Sequence, residues 1–454
     1  MRSRSLAVLA ICWALAGCGS NKVKSGLGLW QPGSVAVFNG YTLKNAGLHP
    51  YVAVANTGRD ELVLVDAVDD APVPAPILFR PLAIVVGKQR PTDVLAASLG
   101  DSAASGSLAD LLVVRSAGSS VLQVVRTWVL PGQAADPRVL PALDVDLAAG
   151  AADAEVLAMV AAPVPISDGA GGFTAATGRV RVVAALSGQR LSVVEFARQA
   201  DGSILPGPAV VQHLSLDAGG GPVRFDAVSL SVNPALPRYL YVASPDPIPT
   251  SAGTVEGVAE LDTSLPPGAF TWRALDARAP TKLVAAWTLR ERLPGSAGDG
   301  AEALQPTAVD RVYAFLDPTR CGATQRVGCG IAVIDRTTGH LAADPSGGMP
   351  YMAPIAVPAV PVALVVSPPP ANPPSQSADE AIFAAPYMRI APGSGIRLTT
   401  AVLEVPATDG HVYFVDLARW AIPNDGSILR LSTTRTAVTS AVAGIADEQR
   451  IGLW

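Results

Sequence analysis

Tyr51-Val-Ala-Val-Ala-Asn56, a polar connection containing Gly58, and Leu62-Val-Leu-Val-Asp66 together decide how this chain is read. Two short runs of β-branched and small apolar residues flank a Gly-bearing turn, which is the signature of a β-hairpin. Working outward, the second run recurs as apolar-x-apolar-apolar-acid at Leu191 to Glu195, Val258 to Asp262, Ile331 to Asp335 and Val412 to Asp416. Leu122 to Arg126 keeps the apolar positions but ends in a base. A constant strand at irregular spacing predicts one supersecondary unit copied several times with connections of variable length.

Each of these runs follows a partner run, at 50–56, 110–116, 179–186, 239–244, 311–316 and 400–406. A third segment follows each hairpin, at 77–86, 138–147, 208–216, 270–276, 351–358 and 428–433. A fourth comes next, at 91–98, 153–160, 225–232, 281–287, 360–367 and 436–442. The last group is nearly continuous Val, Leu and Ala, as expected of strands covered on both faces. Four strands in each of six units predict an all-β fold, a β-propeller. Runs at 34–39 and 381–403 leave room for a seventh blade. A pair of β-sandwiches would need two unlike halves, and one repeating unit runs throughout.

The first repeat, with Gly87 and Pro91 after the two quoted runs, resembles the YVTN-type propeller repeat of secreted and surface proteins. The match is best over 48–98 and partial elsewhere, since Ser244 and Asp317 stand where the motif has Asn. In this reading the chain enters at a second strand, Pro50, and ends with a first strand at 436–442. The N- and C-terminal strands would then pair to close the ring, which removes exposed sheet edges. Deleting 434–454 is expected to open it.

The N-terminus reads as an address. Arg2 and Arg4 precede an apolar run from Leu6 to Ala16 that is too short to span a bilayer. Leu15-Ala16-Gly17-Cys18 then resembles the lipobox of bacterial lipoproteins, which implies that Cys18 becomes the acylated first residue and anchors the chain in the membrane. Gly19, by the same analogy, implies the outer membrane, with the protein at its periplasmic face or on the cell surface. The expected organisation is a signal peptide over 1–17, a lipidated tether over 18–33, the propeller over 34–446 and a tail over 447–454. Cys12 leaves with the signal, so Cys321 and Cys329 remain, and their spacing around Gly322 and Gly328 reads as a disulfide-closed loop. Two thiols with no further Cys or His nearby do not make a zinc site.

The 454 residues are 49% hydrophobic and 16% charged, with a net charge of −5, which excludes a disordered chain and argues against a nucleic-acid binder. Chemistry-bearing motifs are sparse. His49, His213, His340 and His411 form no local metal pair. Ser102 lacks a downstream Asp-x-x-His, and no P-loop, Rossmann fingerprint or nucleophile elbow is present. Asp144 and Asp146 would share one strand face, and Asp66, Asp262, Asp335 and Asp416 recur at strand ends, where accepting turn N–H groups is the expected role. No catalytic residue, metal site or cofactor is assigned. The favoured reading is a lipid-anchored propeller that binds or scaffolds an envelope protein or glycan. The alternative is a lactonase-like propeller hydrolase with its active site in the central channel, which would require His, Arg or carboxylate side chains converging at one channel mouth.

Overall fold

The computed structural model describes residues 32–41, 48–66, 71–72, 83–85, 90–100, 111–126, 142–148, 154–201, 203–217, 222–290, 308–318, 330–343, 350–352, 354–357, 359–367, 388–391, 395–398, 402–408, 411–417 and 428–433. Among them, antiparallel strands follow one another in six sheets of four or five strands. Sheet I is Pro32–Tyr41, Leu48–Asn56 and Glu61–Asp66, with Ala71–Pro72 and Ala83–Val85 both on the third strand. Sheet II is Pro91–Ala97, Leu111–Ser116, Val121–Arg126 and Ala142–Asp146. Sheet III is Val156–Ser167, Phe173–Leu186 and Arg190–Arg198, with Ile204–Pro206 and Val210–His213 sharing its outer edge. Sheet IV is Ser229–Val232, Tyr239–Ala243, Gly257–Asp262 and Thr271–Asp276. Sheet V is Thr281–Arg290, Ala308–Leu316, Ile331–Asp335 and His340–Leu341, and sheet VI is Val365–Ser367, Val402–Pro406, His411–Asp416 and Ile428–Thr433. All six expected central hairpins form.

Alternation along the second strands explains why the sheets stack in series. In sheet III, Val180, Val182, Ala184 and Leu186 enter the core shared with sheet II, whereas Val183 and Ala185 enter the one shared with sheet IV. Sheet IV repeats this, with Leu240 and Val242 turned to sheet III and Tyr241 and Ala243 to sheet V. In sheet V, Val312 and Ala314 face sheet IV while Tyr313 and Phe315 face sheet VI. Successive side chains of a strand point to opposite faces, so a strand apolar at every position needs a neighbour on both sides. Five cores join the six sheets in chain order, and each first strand touches the next. This is the arrangement of blades in a β-propeller.

The tether boundary, the shared-strand closure and the strand expected at 351–358 need correction. The run at 34–39 belongs to a first strand, Pro32–Tyr41, which completes sheet I and begins two residues inside the range read as tether. Leu48–Asn56 therefore has Pro32–Tyr41 on one edge and Glu61–Asp66 on the other. No edge remains beside it for 436–442, which lie outside the described residues, so the shared-strand closure is not how sheet I is built. Among its described residues the segment 351–358 forms no strand: Ile355 makes an isolated bridge with Ile331, Met352 N–H donates to the Ala342 carbonyl, and His340–Leu341 takes the place of the fourth strand. Pro350, Pro354 and Pro358 remove the ladder donors on either side. The run at 381–403, read as room for further strands, does hold two, Met388–Ala391 paired with Gly395–Leu398 as a separate hairpin.

First strands of sheets I, II, III and V begin with a register break, at Pro32/Val35, Pro91/Asp93, Val156/Ala158 and Thr281/Leu283. Such a bulge bends the strand and re-aims the side chains beside it. Backbones also approach closely: a Cβ on Gly257 would lie 2.0 Å from the Leu275 carbonyl oxygen of the adjacent strand. Gly257→Ala is expected to cost at least about 2 kcal/mol, since the obstacle is backbone. The denaturant midpoint, compared with that of an exposed Gly207→Ala control whose backbone is not in the left-handed region, measures this.

Candidate functional site

The charged side chains concentrate where second strands start and third strands end. In sheet IV, Arg238 Nε donates to both carboxylate oxygens of Asp262 at 2.9 Å. In sheet V, Arg311 pairs with Asp335 directly opposite in the register. In sheet III, Arg179 Nε donates to Glu195 Oε1 at 2.6 Å, while Arg181 reaches across to the Thr263 carbonyl of sheet IV at 2.6 Å. Glu195, Asp262 and Asp335 thus each have a basic partner on, or immediately before, the neighbouring strand. They also do what was expected of them: Asp262 Oδ1 accepts the Ser264 N–H at 2.9 Å, and Asp335 Oδ1 accepts that of Thr338 at 3.0 Å. The side chains of Asp66 and Asp416 lie outside the description.

A denser array joins sheets IV and V. Glu260, 3% exposed, accepts from Arg273 Nε at 2.7 Å and from Arg336 Nε at 2.6 Å. Arg336 lies 3.9 Å above the Tyr239 ring, which favours the cation electrostatically. Its Nη1 is 3.7 Å from Asp310 Oδ2, and Asp310 Oδ1 accepts from Thr288 Oγ1 at 2.7 Å, which in turn accepts from Asn233 Nδ2 at 2.9 Å. Tyr241 is fully buried beside this array, and burial pushes its hydroxyl far above the usual phenol range.

Environment shifts the ladder acids in one direction. Burial, the largest single influence on Asp262, pushes its carboxyl up, but hydrogen bonds from Arg238 and Ser264 outweigh it and hold it at about 2. Asp335 is lowered in the same way, with burial overcome by the Thr338 N–H and Arg311. For Arg181, burial prevails over Glu195 and pulls the guanidinium below its ordinary value.

The opposite end of the first strands holds fewer charges. Asp93 of sheet II receives a hydrogen bond from Ser34 of sheet I, and Lys282 Nζ of sheet V lies 3.1 Å from Asp317 Oδ1. These are the charged groups among the described first-strand side chains, and each is paired within its own sheet or with the next.

Cys18, Cys321, Cys329 and Ser102 lie outside the described residues, as do Trp30 and Trp454. His213 and His340 are exposed, and His340 Nδ1 sits 3.8 Å from Asp276 Oδ2, a contact between the outer strands of sheets IV and V. His49 and His411 lie in strands of sheets I and VI. Asp144 and Asp146 share an outer strand; Asp144 accepts from Gln123 and Asp146 from Ser120 and the Ala148 N–H. Among the described residues no group of three or more His, Cys, Asp or Glu could hold a metal ion. The arginines are what the sequence reading missed. Their signal was present, because Arg179, Arg238 and Arg311 are each followed directly by an apolar or aromatic residue of a second strand, Val180, Tyr239 and Val312.

No family model and no curated protein matches the chain. Solved structures similar to it include two of BBS1N in complex with ARL6DN. The one soaked with lead is 10% identical, with 91% of this chain and 85% of that chain covered at a TM-score of 0.38. The one soaked with mercury is 10% identical, with 92% of each covered at a TM-score of 0.40.

Glu260→Ala would leave two guanidinium groups without their buried carboxylate and is expected to cost about 3–5 kcal/mol, against near zero for exposed His340→Ala. Denaturant titration of both variants checks this. Because folding depresses Asp262 and Asp335, their stabilisation is present at neutral pH and is lost as pH falls from about 4 toward 2. Asp262→Asn should lower stability at pH 7 and flatten the acid limb of the stability–pH curve.

Proposed function

We propose that the chain is a lipid-anchored β-propeller of six blades that binds or scaffolds a protein or glycan partner at the cell envelope. Acyl chains on Cys18 hold it in the outer membrane, and Cys321 and Cys329 are joined as a disulfide. The observation that carries the binding role is where the ionisable side chains go. Arg181, Glu260 and Arg336 link neighbouring sheets, and Arg238, Arg311, Asp262 and Asp335 fix the turns of single sheets. Side chains held this way stiffen a platform, and recognition falls to the loops that the platform carries.

Two features of the chain fit the anchor and the disulfide. The first described strand starts at Pro32, and the 13 residues between it and Cys18 span at most about 45 Å. Cys321 and Cys329 lie in the connection between Ala308–Leu316 and Ile331–Asp335, whose paired strands bring its two ends together.

Fractionation of cells expressing the full chain should place it with the membrane, with an acylated Cys18 peptide by mass spectrometry. Cys18→Ser should move it to the aqueous fraction, and persistence of that variant in the membrane would refute the anchor. Alkylation before and after reduction should reveal Cys321 and Cys329 only after reduction. Affinity capture from detergent-solubilised envelope tests the partner, and lactone hydrolysis by the purified chain would overturn the binding-protein reading in favour of an enzyme.

A further inference from the structure

Asp93 stands where three sheets meet at the start of the first strands. Its Oδ1 accepts a hydrogen bond from Ser34 of sheet I, whose Oγ also accepts the Val94 N–H at 2.7 Å. Its Oδ2 lies 4.0 Å from Arg115 Nε, beyond hydrogen-bond reach, and that buried Nε has no hydrogen-bond partner among the described residues. The other arm of the same guanidinium is engaged elsewhere. Arg115 Nη1 donates to the carbonyls of Val156 at 2.9 Å and Leu157 at 2.5 Å, at the bulge that opens the first strand of sheet III.

The gap at Nε has a chemical reading. With Oδ1 serving Ser34, a proton on Asp93 belongs on Oδ2, where it faces another donor and no hydrogen bond can form. An ionised Oδ2 would instead attract Nε, and the same rigid planar group cannot swing toward Asp93 without moving Nη1 relative to the two carbonyls. We propose that Ser34, Asp93 and Arg115 form a proton-operated clasp. With Asp93 neutral, Arg115 ties sheet II to the bulge of sheet III, and loss of that proton draws Arg115 toward Asp93 and loosens the start of sheet III's first strand. Ser34 from sheet I, Arg115 from the second strand of sheet II and the Val94 N–H of its own strand are the groups that face Asp93. Burial is the largest influence and raises the carboxyl above its ordinary value against all three, while 31% of the side chain stays exposed, so solvent protons can reach it. A carboxyl raised by folding adds stability below its unfolded-state value, and that stability is lost as pH climbs through the raised one.

Hydrogen–deuterium exchange of the full chain between pH 3.5 and 7.5, corrected for the intrinsic pH dependence of amide exchange, tests the clasp through the peptide covering 154–162. The wild type should lose protection there as pH rises, and Asp93→Asn, which mimics the neutral acid, should keep it throughout. Arg115→Gln provides a second test if the first variant fails to fold: its protection over 154–162 should be low at every pH. A wild-type profile flat with pH, an Asp93→Asn profile that still falls, or an Arg115→Gln profile that keeps the wild-type pH dependence would each overturn the proposal.

Discussion

A sheet whose central strands are apolar at every position cannot be stable with one face in water. That constraint organises this protein. Leu111, Val113, Leu112 and Val114 of sheet II feed alternate cores, as the matching residues of sheets III, IV and V do. A helix packed on one face would satisfy only half of the demand, and the described residues hold a single three-residue 3-10 turn and no longer helix. Sheets therefore cover sheets, and the repeat of the hairpin becomes a repeat of the interface.

Polar residues occupy what the apolar faces leave free, the strand ends. Isolated exposed ion pairs contribute little, but several here are shielded and joined to turns. Asp262 serves both Arg238 across the hairpin and Ser264 in the turn, so one side chain sets strand register and turn geometry together. Glu260 joins two arginines that come from different sheets, which restricts how sheets IV and V can slide against one another. At the other rim the links are sparser and use hydroxyls: Ser34 accepts the Val94 N–H, and Ser229 of sheet IV accepts that of Val284 in sheet V at 3.4 Å.

Legibility in the sequence follows the same division. The hairpins could be read because alternation between two cores leaves unbroken apolar runs such as Val182 to Leu186, followed by the turn formers Ser187 and Gly188. Misreadings came where prolines interrupt an apolar segment. Tyr351 to Pro358 looks strand-like in composition, yet its described residues make one isolated bridge, at Ile355, and no strand. Pro32–Tyr41 is hard to place from sequence because it lies before the first recognisable hairpin, and composition alone does not say which edge a strand will take. The terminal acids could be assigned to turns from local chemistry. Their arginine partners were not assigned, because pairing across a hairpin depends on register, which loops of unequal length conceal.

The place of Pro32–Tyr41 has a mechanical consequence. It is the strand through which any load on the preceding residues enters the molecule, and eight residue pairs hold it antiparallel to Leu48–Asn56. Traction along its axis bears on those cross-strand bonds simultaneously, in shear, so they resist together. A fastening that had to unzip bond by bond would give way far sooner.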